Sequence, residues 1–302
     1  MFNVQRSMHD NQRMPRQYSY KDSVKSNVSD EIVNVYLQRP VAGILTRILF
    51  PTRVTPNQVT LASTMFGAAG GILLAVSPSL IFPAVCFYLK DILDSADGQL
   101  ARAKNLYTRR GRFWDSLGDF LVNLFLFGGI FFFLKTPWGL LHPQVYWTAA
   151  LLMCMVGFLG VNLRVSYQVY YQTMFLHREQ KYENNRATEE LQEKDLSQDR
   201  LTLALQKIFL ALYGWQDEMM KEIDGWCRNG RNEDVQLQRW YAASPALSLN
   251  KLFGMGTEFV TLTVCLLLGS VWTYLLFSLV VFNCLWLAAI LYRKFIFALS
   301  LQ

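Results

Sequence analysis

The sequence predicts an all-α integral membrane protein with six transmembrane helices. The chain has 302 residues, of which 52% are hydrophobic and 17% are charged. The hydrophobic residues are concentrated in long runs with almost no charge, whereas a soluble domain of this length spreads them at helical or strand spacing. Lipid offers no partners to backbone polar groups, and no part of the sequence alternates as barrel strands do, so the runs are predicted to be helices.

Six runs are long enough to cross the hydrocarbon core, which needs about 20 helical residues. The short connections at 77–79 and 269–271 predict that the first two spans and the last two spans form antiparallel hairpins. The predicted spans cover residues 57–77, 80–100, 112–134, 145–171, 252–269 and 271–292.

Lysine and arginine residues mark one side of this six-span arrangement. They are frequent before the first span, after the second, between the fourth and fifth, and after the sixth. All these stretches lie on the same side of the membrane, and the other side receives only Lys135. Basic residues favour the cytoplasmic side, so both termini are predicted to be cytoplasmic.

Two polar regions complete the predicted architecture. Residues 30–50 place their apolar side chains on one helical stripe, which predicts an amphipathic helix in the membrane interface, bent at Pro40. Residues 176–251, here called the insertion, repeat apolar residues at helical spacing and predict a cytoplasmic or interfacial helix. A solvated segment without catalytic duty is the alternative for the insertion. The predicted division is 1–54 (cytoplasmic N-terminal segment), 55–175 (spans one to four), 176–251 (insertion) and 252–302 (spans five and six).

Four aspartates lie where the second span ends and the third begins. Asp94 and Asp97 are three residues apart, and Asp115 and Asp119 are four apart, so each pair shares a helix face. The short turn between the two helices makes them antiparallel neighbours. Four carboxylates are therefore expected to converge near the cytoplasmic side.

Carboxylates in this setting predict a site for divalent cations. An uncompensated aspartate in a membrane helix is costly, and repulsion among several raises that cost. Oxygen-only ligands suit Mg²⁺, Mn²⁺ or Ca²⁺, and two such ions could clamp a diphosphate. His9, His142 and His177 lie outside this region, so neither a zinc site nor a Ser-His-Asp triad is predicted.

The residues around the aspartates follow the pattern D-x2-D-G-x2-A-R-x8-G-x3-D-x3-D. This pattern resembles the signature of the CDP-alcohol phosphotransferase family. The resemblance implies that an acceptor hydroxyl attacks the β-phosphorus of a CDP-linked donor, usually CDP-diacylglycerol, and that CMP leaves. It also implies a homodimer in the lipid bilayer, and no nucleic-acid partner is expected. The matching positions are Asp94, Asp97, Gly98, Ala101, Arg102, Gly111, Asp115 and Asp119.

Each position of the pattern has an expected role. Asp94, Asp97 and Asp115 are expected to hold two divalent cations, and Asp119 to act as general base with a possible contact to a metal. Arg102 offers a planar fork to a phosphate or cytosine oxygen. The residues expected to line the CDP site are Gly98, Ala101, Arg102 and Gly111, joined by Asn57 and Thr60, for which a purely local role at the start of the first span is equally expected.

Arg164 lies in the middle of the fourth span, where an ionisable residue suggests function. It is expected either to bind a phosphate of the acceptor, which would favour a phosphorylated alcohol, or to neutralise an aspartate or a neighbouring helix end.

Two other classes of protein use acidic residues within membrane helices. A divalent-cation transporter needs polar groups along a path through the membrane, but spans five and six contain Glu258 as their only acid. An intramembrane prenyltransferase carries D-D-x-x-D motifs, which this sequence lacks. Both remain alternatives to the transferase interpretation at this stage.

Overall fold

The computed structural model describes residues 17–24, 29–136, 147–179, 189, 191, 199–230, 233–242 and 244–297. The regular elements within these ranges are all helical. A one-turn helix at Tyr20–Ser23 and a π-helical turn at Asn34–Gln38 precede the longer helices. These are α1 (Arg39–Leu49), α2 (Pro56–Val76), α3 (Ile81–Lys104), α4 (Arg109–Phe133), α5 (Trp147–Arg178), α6 (Arg200–Arg228), α7 (Asp234–Tyr241), α8 (Pro245–Asn250), α9 (Met255–Leu267) and α10 (Val271–Phe297).

Four of the described helices, α2, α4, α5 and α10, are long and apolar enough to cross a membrane. They overlap the first, third, fourth and sixth predicted spans. Helix α3 is long enough but carries Lys90, Asp91, Asp94 and Asp97, so its composition is too charged to qualify. Helix α9 has 13 residues, which rise only about 20 Å. The apolar helices agree with a membrane protein, and the count of six spans remains a prediction.

The core of the bundle lies among α2, α3, α4 and α9. Leu74, Phe87, Leu126 and Phe259 are almost fully buried there. The Phe87 and Phe259 rings stack with their centroids 5.8 Å apart. This apolar core lies deeper along α3 and α4 than the aspartates, so the acidic side chains lie at one end of the bundle.

The turns at that end of the bundle are set by identifiable caps. Gln58 Oε1 accepts a hydrogen bond from the Thr55 amide at 2.9 Å, and the two residues form a capping box at the start of α2. Helix α3 ends at Asn105, whose left-handed backbone has φ 52°. Thr108 Oγ1 then accepts from the Gly111 amide at 3.0 Å and begins α4. The chain thus reverses between α3 and α4 within a few residues, as the sequence predicts.

The predicted amphipathic helix corresponds to the π-helical turn and α1. The π-helical turn ends at Gln38, two residues before Pro40, which lies in the first turn of α1. Tyr36, Ile44 and Ile48 are strongly exposed along this stretch. Their exposure fits contact with lipid, and the interfacial position of this helix stays a prediction.

The described part of the insertion is helical and packs against the bundle. Leu205 and Phe209 of α6 pack against Phe113 and Leu117 of α4. Residues 180–188, 190, 192–198, 231–232 and 243 lie outside the described residues, as do both termini.

A buried carboxylate fixes the far end of α6. Asp224 is fully buried and accepts hydrogen bonds from Trp240 Nε1 at 2.8 Å, from Arg228 Nε at 2.9 Å and from the Tyr241 hydroxyl. Because two of these donors come from α7, the interaction ties α7 to α6.

Candidate metal and nucleotide site

The antiparallel arrangement of α3 and α4 determines which side chains face each other. Asp94 and Asp97 of α3 lie opposite Asp115 of α4. One helical turn further into the bundle, Asp94 is followed by Lys90 on α3 and Asp115 by Asp119 on α4. Lys90 and Asp119 are therefore also neighbours, with Nζ and Oδ1 2.7 Å apart.

The three carboxylates of Asp94, Asp97 and Asp115 fit a divalent cation. One ligand oxygen from each lies within 4.8 Å of the others. Oxygen ligands of Mg²⁺ and Ca²⁺ lie about 2.0–2.6 Å from the ion, so ligands of one ion are at most about 5 Å apart. Asp97 is buried, whereas the Asp94 side chain is 26% exposed. The donor set is hard, oxygen-only and reachable from outside, which suits the metals that the sequence predicts.

Asp119 is held differently from the other three aspartates. It lies outside the group of three, and its Oδ1 atom accepts from the Lys90 ammonium. Among the described residues its Oδ2 atom has no hydrogen-bond partner, and the side chain is 22% exposed. Asp119 thus has one oxygen fixed and one oxygen available.

A cavity opens beside the three aspartates, between the start of α2, the end of α3 and the start of α4. Its wall brings together all six residues that the sequence assigns to the CDP donor, along with Asp97 and Asp115. The sequence analysis did not single out Tyr107, Thr108 and Arg112, which also contribute. The lining residues are Pro56, Asn57, Thr60, Asp97, Gly98, Ala101, Arg102, Leu106, Tyr107, Thr108, Gly111, Arg112 and Asp115. Their role in binding a nucleotide stays a prediction.

Two of the predicted donor residues also have contacts within the protein. Thr60 Oγ1 donates to Asp97 Oδ2 at 2.5 Å, so Thr60 orients a predicted metal ligand as well as lining the cavity. Arg102 Nε donates to the Ser23 carbonyl oxygen at 2.6 Å, which ties the N-terminal segment to the rim of the cavity.

The contacts of Arg164 lie elsewhere in the bundle. Its guanidinium group lies 3.0 Å from Glu258 Oε2 and also contacts Ser278 and Asn283. The side chain is almost fully buried, and Arg164 does not line the cavity described above. Arg164 thus pairs with a buried glutamate, Glu258, and not with an aspartate as the sequence suggests, and acceptor binding by Arg164 stays a prediction.

Helix α6 of the insertion reaches the aspartate cluster through Tyr213. The Tyr213 hydroxyl donates to the carbonyl oxygen of Ser116, next to Asp115, at 2.9 Å. Burial, followed by the negative charges of Asp119 and Asp115, raises the pKa of the Tyr213 phenol above its usual value. Tyr213 therefore stays protonated at neutral pH and can act as a donor.

Lys90 is the main residue of the site that the sequence analysis missed. It precedes the recognised pattern by four residues and shares a helix face with Asp94. The sequence alone could have indicated Lys90 as a candidate functional residue, since a lysine within a predicted membrane span is unusual. The partner across the helix pair, Asp119, could be identified only from the register of α3 against α4.

A model of the family described as CDP-alcohol phosphatidyltransferase matches residues 53–226, a range that extends into α6 as far as Trp226. The bifunctional IPC transferase and DIPP synthase of Aquifex aeolicus is 28% identical over 131 residues, 43% of this chain and 29% of that protein. The phosphatidylinositol phosphate synthase of Corynebacterium glutamicum is 33% identical over 118 residues, 39% of this chain and 51% of that protein.

These alignments span about half or less of the curated relatives. The family model covers more than half of the chain, including every position of the recognised pattern and the cavity beside it. The chain is therefore a transferase of the CDP-alcohol phosphatidyltransferase family.

Proposed function

We propose that the chain transfers a phosphatidyl group from CDP-diacylglycerol to the hydroxyl of an acceptor alcohol and releases CMP. The observation that carries this proposal is that two of the three grouped aspartates, Asp97 and Asp115, line a cavity together with all six predicted donor residues. A cavity next to a cation site accommodates a nucleotide whose diphosphate reaches the cation. The family places the reaction in phospholipid synthesis.

The residues of the chain supply binding and proton transfer. Asp94, Asp97 and Asp115 hold the divalent cation, with Thr60 orienting Asp97. The sequence predicts two such cations, Mg²⁺ or Mn²⁺, with Ca²⁺ as a further candidate. When bound, divalent cations offset the charge of the diphosphate and stabilise the leaving CMP.

Asp119 acts on the acceptor. The acceptor oxygen forms a bond to the β-phosphorus, the bond between this phosphorus and the CMP oxygen breaks, and Asp119 takes the hydroxyl proton. Its position one turn deeper than the metal group and the open Oδ2 atom support this role. Arg102 and Arg112 line the cavity and supply positive charge to the CMP that leaves.

The site also supports a placement in the membrane. Arg102, Lys104, Arg109 and Arg112 surround the aspartate end of α3 and α4. We place that end and both termini at the cytoplasmic side of a six-span homodimer, with the four-part division of the chain predicted above. Labelling of terminal tags in sealed vesicles tests the orientation, and a label that reacts only from the opposite side contradicts it.

The reaction is tested with the purified full-length chain in lipid nanodiscs. CDP-diacylglycerol is supplied with serine, glycerol phosphate, inositol phosphate, inositol, choline or ethanolamine, and CMP is measured. Inositol phosphate is tried first because one relative is named a phosphatidylinositol phosphate synthase. We expect CMP only when both an acceptor and a divalent cation are present.

Two variants control this experiment. Asp97→Asn removes a predicted metal ligand and is expected to stop CMP release. Asp234→Asn changes an aspartate whose side chain is 93% exposed and is expected to leave the rate unchanged. If the folded protein releases no CMP with any of these acceptors, in the presence of either Mg²⁺ or Mn²⁺, the proposed function is contradicted.

A further inference from the structure

The Lys90 ammonium group lies between two of the aspartates that the sequence assigns to metal binding. Its Nζ atom is 2.7 Å from Asp119 Oδ1 and 3.7 Å from Asp94 Oδ1. A second cation shared by Asp94 and Asp119 would need the same two carboxylate oxygens that the Lys90 ammonium contacts. The ammonium is itself a cation at these oxygens, attached to α3.

The surroundings of Lys90 hold the ammonium there. The side chain is 1% exposed, and Nζ lies 4.6 Å from the centre of the Phe259 ring. Ser63 Oγ donates to the Lys90 carbonyl oxygen at 2.9 Å, which fixes this part of α3 against α2. Moving the ammonium away from its carboxylates would leave a buried charge without compensation.

The remaining aspartates form a complete site for one ion. Asp94, Asp97 and Asp115 converge on a common point without Asp119. A second divalent ion at Asp119 would have to lie beside the Lys90 ammonium and would be repelled by it.

We propose that the Lys90 ammonium takes the place of a second divalent cation, so that each chain binds one divalent cation and Lys90 positions Asp119 for the acceptor. This inference rests on the proposed function for the role of Asp119. It revises the sequence-based expectation of two cations. Lys90 is a positioning residue, because it acts through Asp119 and not on the substrate.

The number of bound ions is measured directly, without substrate. Mn²⁺ is titrated into the full-length chain by calorimetry, and the bound ion is examined by electron paramagnetic resonance. We expect one Mn²⁺ per chain and the spectrum of an isolated ion. Two Mn²⁺ per chain with an exchange-coupled spectrum would overturn the inference.

Variants of Lys90 test whether its charge sets this number. Lys90→Met is expected to bind a second Mn²⁺ and to show exchange coupling, whereas Lys90→Arg is expected to bind one. Lys104→Met removes a lysine from the same helix that contacts the carbonyl oxygens of Thr52 and Val54, and it should bind one. A Lys90→Met protein that binds only one Mn²⁺ would also overturn the inference.

If Lys90→Met fails to fold, Asp119→Asn gives an independent test. The Asp119→Asn variant should bind one Mn²⁺ with nearly unchanged affinity. The Asp115→Asn variant should bind Mn²⁺ about tenfold or more weakly. An equal loss in both variants would make Asp119 a metal ligand and overturn the inference. Failure here is distinct from failure of the proposed function, because Mn²⁺ is counted without donor or acceptor, and CMP release is scored separately.

Discussion

The bundle contains two buried pairs of opposite charge that differ in how completely they are satisfied. In the Arg164–Glu258 pair both carboxylate oxygens are occupied. Glu258 Oε2 accepts from Arg164 at 3.0 Å, and Oε1 accepts from Tyr274 at 2.9 Å and from Ser278 at 2.6 Å. In the Lys90–Asp119 pair one carboxylate oxygen lacks a hydrogen-bond partner among the described residues.

The carboxylate with fewer hydrogen bonds, that of Asp119, is also the more exposed of the two. The Glu258 side chain is 4% exposed and that of Asp119 is 22% exposed. A buried polar network with every group paired makes a unique packing arrangement more rigid, whereas a partly exposed carboxylate with an open oxygen can accept a proton. The comparison indicates that the Arg164–Glu258 pair holds α5, α9 and α10 together, and it agrees with the role in the reaction that we propose for Asp119.

Removal of the Asp119 carboxylate is expected to have the largest effect. Asp119→Asn should lower kcat by about 10²- to 10⁴-fold, the usual contribution of a general base. Donor binding in the presence of Mn²⁺ should persist, because the three grouped aspartates are intact. Steady-state kinetics and a donor-binding assay check this result. Loss of donor binding to the same degree as turnover would make Asp119 a ligand.

Disruption of the other pair should affect stability and leave catalysis unchanged. Arg164→Ala leaves Glu258 as a buried charge without its partner and should cost about 3–5 kcal/mol of unfolding free energy. Denaturant titration in detergent measures this loss, and kcat/KM per folded molecule should be unchanged. The double variant Arg164→Met with Glu258→Met should recover part of the stability. A raised KM for the acceptor with an unchanged KM for the donor would instead support acceptor binding by Arg164.

Two glycines allow the same comparison with a single added methyl group. A Cβ at Gly160 would lie 3.0 Å from Arg164 Nη1 and 3.1 Å from Asn283 Oδ1, whereas a Cβ at Gly98 would meet only the flexible Arg102 side chain at 3.4 Å. Gly160→Ala should therefore lower stability. Because the added methyl group narrows the cavity, Gly98→Ala should raise the KM for the donor about tenfold. This change corresponds to about 1.4 kcal/mol of binding free energy.

The readouts for the two glycine variants are thermal unfolding and donor KM. For Gly98→Ala the unfolding temperature should be unchanged or higher, because alanine favours a helix by up to about 1 kcal/mol over glycine. A Gly98→Ala protein with normal donor KM would remove Gly98 from the donor site.

A pH-dependent effect concerns Glu31, a buried carboxylate that the Thr257 amide and hydroxyl hold at 3.0 and 3.4 Å. Burial, with a further contribution from Asp30, raises the pKa of Glu31 from 4.5 to about 8. The unfolded chain releases this proton near pH 4.5 and the folded chain near pH 8, so the Glu31 contribution to stability falls as pH rises between these values.

Replacement of Glu31 isolates its contribution from those of other groups. When the pH is raised from 5 to 8, the Glu31→Gln variant should lose less stability than the unchanged chain. Thermal unfolding measures both losses. The same pH dependence in both proteins would show that Glu31 does not titrate in this range.

Much of the aspartate site could be predicted because its geometry is local. Asp94 and Asp97 share a helix face by their spacing, and the short turn that Asn105 and Thr108 form makes α3 and α4 antiparallel. Those two facts suffice to bring Asp115 to the same place. The role of Lys90 required the register of α3 against α4, which a motif that begins at Asp94 does not include.

Other features depended on contacts between distant parts of the chain. Arg164 and Glu258 are 94 residues apart, and helical spacing within either span carries no information about the other. The length of α9 could not be predicted from hydropathy, because residues 252–254 are as compatible with a span as with the turn that the structure shows. The packing of α6 on α4 depends in the same way on the tertiary arrangement.

The contact between α6 and α4 has a consequence for biosynthesis. Phe113 and Leu117 of α4 are covered by Leu205 and Phe209 of α6, which are translated about ninety residues later. A nascent chain released before residue 209 would carry the whole signature yet leave this apolar surface uncovered. Premature termination there should yield a product that quality-control proteases recognise, even though every aspartate has already been translated.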